Sequence, residues 1–145
     1  MKACGGAVVE AETPEIGWRD ASGEFFSMHL TKEGRADQLF RGLDGDLRIF
    51  QLHGETFVPT PGMKLLATGA SCRNQAVRVG ECAYGIQGHF ELTEHMLGRW
   101  MAEDPDLRRL DRDAMSVDYA AVRAGYEACG KAVVSNFMRA AGLLG

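Results

Sequence analysis

The residues best suited to chemistry are a histidine and a glutamate two positions apart, His89 and Glu91, in the stretch AYGIQGHFELT. If this stretch is a strand, side chains at alternate positions point to the same side. At the carboxyl end of a strand they would face the crevice in which open α/β sheets bind ligands. There the carboxylate can hold the imidazole in one tautomer, and the imidazole can act as a base toward a nucleophile. The spacing predicts two members of a hydrolytic triad. The alternative is an exposed histidine followed by a glutamate that favours the start of the next helix.

Length and composition restrict the classes of protein that can carry such a site. The 145 residues, of which 46% are hydrophobic and 25% charged, predict a single domain over residues 1–145. Lysine and arginine are dispersed and the formal net charge is −4, so we expect no nucleic-acid partner. The sequence shows neither an apolar run of roughly 20 residues nor an apolar signal segment, so we expect a cytoplasmic protein that does not enter a membrane.

The number and spacing of the cysteines indicate the cellular compartment and the thiol chemistry open to the chain. There are four, Cys4, Cys72, Cys82 and Cys129. None forms a C-x-x-C pair, so neither a zinc ribbon nor a redox motif is indicated. An even count is compatible with disulfides, but the chain lacks the cysteine density of a small secreted scaffold. Reduced thiols in the cytoplasm are the simpler interpretation.

The elements that must position the histidine and the glutamate are short strands and amphipathic helices. Strands are predicted in GGAVVEAE, EIGWRDA, EFFSMHL, DLRIFQLHGETF, MKLLAT, NQAVRVG and CAYGIQG. The fourth of these is expected to end at His53. Thr31 is expected to cap a helix over KEGRADQLFRGL, and Thr93 a second helix over TEHMLGRWMAED.

A third and longer helix is predicted from Ser116, because apolar residues then recur every three or four positions. Its buried face would consist of Tyr119, Val122, Tyr126, Cys129, Val133 and Phe137. Asp118 would lie in the first turn, where a carboxylate favours the helix dipole. Strands in the middle of the chain with helices around them predict an α/β domain.

Four ordered motifs suggest a family. They are ACGGAVVEAETPEIGW near the start, HGETF at His53–Phe57, NQAVR at Asn74–Arg78 and YGIQGHFELT at Tyr84–Thr93. Together they resemble class I glutamine amidotransferases, above all stand-alone members similar to the amidotransferase part of GMP synthase. The resemblance covers roughly residues 3–103. It implies the C-terminal part of a flavodoxin-like domain, with central strands, flanking helices and a long C-terminal helix.

The same resemblance implies an activity and roles for particular residues. The family hydrolyses glutamine, or a γ-glutamyl amide, through a Cys–His–Glu triad and delivers ammonia, so it combines hydrolase and transferase chemistry. His89 would be the catalytic base and Glu91 its orienting partner, while His53 and Glu55 would line the glutamine or acceptor side of the crevice. The substrate would be a small molecule, and no cofactor or metal is implied.

The chain departs from the family pattern in two ways. The family nucleophile lies about one helix ahead of the glycine pair, which here is Gly5–Gly6, so its expected position precedes Met1. Cys4 lacks the preceding strand that a nucleophile elbow needs, and the other cysteines match no nucleophile position. Gly88 and Phe90 replace the family's phenylalanine and proline, which weakens the expectation that His89 is tightly positioned.

We therefore expect a truncated amidotransferase domain that is inactive on its own, with a homodimer or a partner covering the missing half. The alternative is a non-catalytic remnant of the same fold that binds a partner. A further alternative is a metal site formed by His53, His89, Glu91 and His95. It is less favoured, because the spacing matches no established set of ligands and His95 is expected to face outward on its helix.

Overall fold

The structure is a computed structural model that describes residues 5–144. The strands are β1 (Ala7–Gly17), β2 (Ser27–Leu30), β3 (Asp46–Arg48), β4 (Gln51–Val58), β5 (Met63–Thr68), β6 (Ala76–Val79) and β7 (Ala83–Ile86). The helices are α1 (Lys32–Ala36), α2 (Glu94–Glu103) and α3 (Arg112–Ala140), with short 3-10 turns at Gln38–Phe40 and Leu107–Arg109. None of these described helices combines the length and the apolar character needed to cross a membrane. The predicted α/β class with flanking helices and a long C-terminal helix is confirmed.

The described strands form two antiparallel sheets. Five strands lie in the order β3-β2-β5-β6-β7, and β1 pairs with β4 in a two-stranded ribbon. The predicted strand DLRIFQLHGETF is two strands, because the chain passes from one sheet to the other through Ile49 and Phe50, which are fully buried. Its expected end at His53 is wrong. Pairing of His53 with Glu15 of β1 continues the ladder, and β4 runs on to Val58.

Both predicted threonine caps are confirmed, but the first helix is short. Thr31 Oγ1 accepts a hydrogen bond from the Gly34 amide at 2.9 Å, and Thr93 Oγ1 accepts one from the Met96 amide at 3.2 Å. α1 ends after five residues instead of spanning KEGRADQLFRGL. The reason is Asp37, whose carboxylate accepts a hydrogen bond from the Leu39 amide at 2.9 Å and starts a 3-10 turn.

The long helix begins one turn before its predicted start at Ser116. Asp111 caps it, since its carboxylate accepts hydrogen bonds at 2.9 and 3.0 Å from two amides of the first turn. Asp118 consequently lies in the second turn, and the expectation that it serves the helix dipole in the first turn is wrong. It instead forms an ion pair with Arg19, with Nη2 and Oδ1 2.8 Å apart.

The buried face of α3 agrees with the prediction except at its C-terminal end. Tyr119, Tyr126, Cys129 and Val133 are buried, and Val122 is partly buried. Phe137, however, is 40% exposed. Asn136 is buried in its place, because its Nδ2 donates hydrogen bonds to the carbonyls of Leu39 and Arg41 at 3.0 and 2.9 Å.

Aromatic rings join the sheets to α3 in the main core. The ring of Trp18 lies 5.0 Å from that of Phe50 and 5.1 Å from that of Tyr126, both in edge-on arrangements. Such pairs contribute about 0.5–1.5 kcal/mol each beyond the burial of their area. Phe50 also forms an antiparallel bridge with His89. The core therefore holds the segment after β7 against the chain that enters β4.

Candidate functional site

His89 and Glu91 lie in the connection between β7 and α2, and their side chains meet. His89 Nδ1 is 2.7 Å from Glu91 Oε1. The backbone N–H of His89 donates to the Phe50 carbonyl at 2.8 Å, which fixes the chain beneath the imidazole. β7 itself ends at Ile86, so the histidine follows the strand instead of ending it. The two side chains nevertheless share one side, as the spacing predicts.

The electrostatics of the pair favour one tautomer of the imidazole. The hydrogen bond with His89 lowers the pKa of Glu91, with burial acting in the opposite direction. The ionised carboxylate therefore keeps a proton on Nδ1 and leaves the lone pair on Nε2. Within residues 5–144 no hydrogen bond engages Nε2, and the His89 side chain is 29% exposed. Nε2 is therefore the ring nitrogen that residues 5–144 leave without a hydrogen bond.

Neighbouring side chains hold the segment that carries the pair. The His89 ring lies edge-on to Trp100, with ring centres 5.1 Å apart. The Tyr126 hydroxyl donates to the His89 carbonyl at 2.9 Å and accepts from the Leu92 amide at 3.1 Å. Burial raises the pKa of Tyr126, so it stays a hydroxyl. A single residue of α3 thus fixes both ends of the short segment.

The backbone on both sides of His89 is closely packed although Gly88 and Phe90 replace the family's phenylalanine and proline. A Cβ at Gly88 would lie 2.5 Å from Gln51 Oε1 and 2.7 Å from Ile49 Cδ1, so these two side chains already occupy the space. Phe90 is 8% exposed, and α3 approaches its carbonyl so closely at Gly130 that no side chain fits there. Close packing supplies the restraint that the sequence pattern assigned to a proline and a phenylalanine.

His53 and Glu55 lie on β4 beside a cavity of about 430 Å³. The cavity is lined by Val8, by residues 52–57 and by residues 85–87. The His53 side chain is only 7% exposed, since its Nε2 is 3.0 Å from Glu15 Oε2 and its Nδ1 is 3.0 Å from the Glu55 carbonyl oxygen. Little of the imidazole therefore faces the cavity. Gln87, two residues before His89, also lines it and donates to the Glu55 carbonyl at 3.1 Å.

Sequence reasoning missed a buried polar network around His53. Glu15, which is 1% exposed, accepts hydrogen bonds from the Cys72 amide at 3.0 Å and from Gln75 Nε2 at 2.8 Å. Gln75 in turn accepts one from Gln51 Nε2 at 2.9 Å. The available signal was Glu15 itself, a carboxylate at the start of the EIGW motif. The network links the β1–β4 ribbon to the loop before β6.

The cysteines differ sharply in their surroundings. Cys4 lies outside the described residues. Cys72 and Cys129 are buried, Cys82 is exposed, and all three are free thiols. Burial raises the pKa of Cys129 to about 11, which disfavours the nucleophilic thiolate. In the alternative metal site, His95 is exposed on α2, as expected.

Comparison with solved structures agrees with the motifs at the level of the fold. A glutamine amidotransferase from Thermotoga maritima aligns with a TM-score of 0.77 and 21% identity, over 94% of this chain and 56% of that protein. A glutamine amidotransferase from Methylobacillus flagellatus aligns with a TM-score of 0.68 and 21% identity, over 96% and 57%. The protein SMU.1228c aligns with a TM-score of 0.77 and 21% identity, over 97% and 58%. No sequence-family model matches the chain, and the comparison with curated proteins gave no match.

The chain therefore has a glutamine amidotransferase-like fold, and the resemblance to the class I enzymes is confirmed for the fold. It spans 56–58% of the length of these three structures. The likeness defines the arrangement of the backbone, whereas an activity depends on the side chains of the site.

Proposed function

We propose that this chain supplies the histidine and the carboxylate of a Cys–His–Glu triad that hydrolyses the side-chain amide of glutamine or of a γ-glutamyl compound. The observation that carries the proposal is the 2.7 Å contact between His89 Nδ1 and Glu91 Oε1 in a chain of amidotransferase-like fold. None of the three described cysteines is hydrogen-bonded to His89. We therefore assign the nucleophile to a thiol outside residues 5–144.

In the proposed reaction, Nε2 of His89 takes the proton of the thiol, and the thiolate attacks the amide carbon. The imidazolium then protonates the leaving nitrogen, and ammonia departs from a thioester. Water attacks the thioester with His89 again as base, which releases glutamate and restores the thiol. Glu91 stabilises the positive charge on the ring through Nδ1. General acid–base catalysis of this kind contributes roughly 10²–10⁴-fold to the rate.

The cavity beside β4 is the proposed substrate site. Its volume of about 430 Å³ is sufficient for an amino acid, and Gln87, two residues before His89, lies in its wall. Glu55 is exposed there, and its carboxylate can pair with the α-ammonium group of the substrate. His53 contributes by holding the β4 backbone through the Glu55 carbonyl. The reaction requires no cofactor and no metal ion.

Release of ammonia and glutamate from L-glutamine tests the proposal. It is measured for the 145-residue chain and for a version extended by the coding sequence upstream of Met1. We expect turnover in the extended version alone, and a loss of about 10²–10⁴-fold in kcat for His89→Gln. His95→Gln, at an exposed histidine of the adjacent helix, is the matched control and should keep full activity.

Full turnover in the His89→Gln variant would contradict the assignment of the base. An extended protein that contains a cysteine at the elbow but hydrolyses neither glutamine nor a γ-glutamyl amide would favour the alternative, a non-catalytic domain of the same fold that binds a partner.

We also propose a cytoplasmic, single-domain protein that acts on a small molecule and has neither nucleic-acid nor membrane partners. The three free thiols agree with a reducing compartment.

Val9 and Val58, on the paired strands β1 and β4, are 42% and 46% exposed. A second copy or a partner chain that covers this ribbon would remove them from water. Size-exclusion chromatography that shows only a monomer would argue against the second copy.

A further inference from the structure

A second cluster of reactive side chains is buried where β1, β4 and the loop before β6 meet. A carboxylate oxygen of Glu15, a ring nitrogen of His53 and the sulfur of Cys72 all lie within 4.8 Å of one another. Glu15 is 1% and Cys72 6% exposed. Thiolate, imidazole and carboxylate are the ligands that zinc takes in proteins, at about 2.0–2.3 Å. We propose that these three residues form a zinc site with one open position.

Each ligand is already oriented by a group that would not itself bind the metal. His53 Nδ1 is 3.0 Å from the Glu55 carbonyl oxygen, which can only accept a hydrogen bond, so Nδ1 carries a proton and Nε2 faces Glu15. The Thr56 hydroxyl lies 3.2 Å from Cys72 Sγ and can donate to a thiolate. Hydrogen bonds of this kind fix ligand orientation in zinc proteins and raise metal affinity.

Glu15 is held in the same way from two sides. The Cys72 amide donates to Oε1 at 3.0 Å, and Gln75 Nε2 donates to Oε2 at 2.8 Å. The ion would enter between Oε2 and His53 Nε2, which are 3.0 Å apart. On binding, any proton shared by these two atoms and the thiol proton of Cys72 leave to solvent, so imidazole, carboxylate and thiolate each offer a lone pair.

The cluster also lies beside a cavity and spans two sheets. His53 and Thr56 line the cavity of about 430 Å³, which offers a route for the ion. Glu15 and His53 belong to the β1–β4 ribbon, whereas Cys72 precedes β6 of the five-stranded sheet. Bound zinc would therefore connect the ribbon to that sheet and hold the cavity wall. This site is separate from His89 and does not depend on the proposed hydrolytic activity.

Titration of the chelator-treated, full-length chain with Co²⁺ tests the proposal. We expect one equivalent of Co²⁺ to bind. The complex should show a thiolate-to-cobalt charge-transfer band and the intense visible bands of tetrahedral coordination, and one equivalent of Zn²⁺ should displace the cobalt. Cys72→Ser should abolish the charge-transfer band and weaken zinc binding by more than about 100-fold, and Thr56→Val should weaken it by about 10-fold. Cys82→Ser, at an exposed cysteine outside the cluster, should bind like the unmodified chain.

Circular dichroism establishes which variants fold. If Cys72→Ser does not, X-ray absorption of the zinc-loaded unmodified chain decides the question, since it should show one sulfur ligand together with nitrogen and oxygen ligands. The proposal is overturned if the metal does not bind saturably or if it binds without a sulfur ligand. It is also overturned if Cys82→Ser weakens metal binding as much as Cys72→Ser does. None of these measurements uses glutamine hydrolysis, so their failure leaves the proposed function standing.

Discussion

Two of the three histidine–carboxylate pairs among the described residues have opposite surroundings. His89 and Glu91 are two residues apart, with side chains 29% and 54% exposed. His53 and Glu15 are 38 residues apart, with side chains 7% and 2% exposed. Among the described residues, the first imidazole has one nitrogen engaged, whereas the second has both engaged. This contrast underlies the two proposals, proton exchange with a substrate at the exposed pair and binding of a metal ion at the buried pair.

Removal of Glu15 should have the largest effect on stability. Glu15→Ala leaves the His53 ring, the Cys72 amide and the Gln75 side chain buried without their acceptor. Breaking a buried pair of this kind costs about 3–5 kcal/mol of unfolding free energy, measured by urea denaturation with a chelator present. The matched substitution Glu91→Ala, at the exposed pair, should cost less than about 1 kcal/mol. Equal costs would remove the distinction between the two pairs.

Gly88→Ala tests whether the exposed pair is held by packing. The new methyl group would meet Gln51 Oε1 and Ile49 Cδ1 at 2.5 and 2.7 Å, and overpacking of this kind costs about 1–3 kcal/mol. Gly54→Ala on β4 is the control, because nothing lies within 4 Å of a Cβ there, and it should leave the unfolding free energy nearly unchanged. An unchanged urea midpoint for Gly88→Ala would mean that the packing around His89 is loose.

Tyr126→Phe tests how strongly α3 restrains the segment from His89 to Leu92. The change leaves the buried Leu92 amide without its acceptor and removes a donor to the His89 carbonyl. We expect a loss of about 1–2 kcal/mol and faster hydrogen exchange at the Leu92 amide. Tyr119→Phe should cost less, since its hydroxyl contacts Glu127, whose side chain is 31% exposed. Unaltered exchange at Leu92 would show that the hydroxyl does not restrain the segment.

The smallest expected effect is the pH dependence of the exposed pair. The hydrogen bond with His89 holds the pKa of Glu91 below its usual 4.5 in the folded chain. Its contribution to stability is therefore present above pH 4.5 and is lost as the pH falls through the lower folded value. The difference in unfolding free energy between the unmodified chain and Glu91→Gln should shrink as the pH falls below 4.5, by well under about 1 kcal/mol because the group is half exposed. A difference that widens below pH 4.5 would contradict this sign.

Sequence alone was sufficient for features set by residues close together in the chain. Thr31 and Thr93 cap helices through amides three residues away. His89 and Glu91 are two positions apart, and their side chains meet at 2.7 Å. The motif from Tyr84 to Thr93, with three others in order, was specific enough to indicate the fold that the solved structures confirm.

Only the tertiary structure decided what depends on residues that are distant in sequence. Pairing with β1 carries β4 past His53, whose partner Glu15 lies 38 residues earlier in the chain. The same holds for Glu15 and Cys72, which meet His53 only after a ribbon and a sheet have packed together. Sequence patterns record which residues share a face of one element, whereas the partner across an interface follows from how the elements dock.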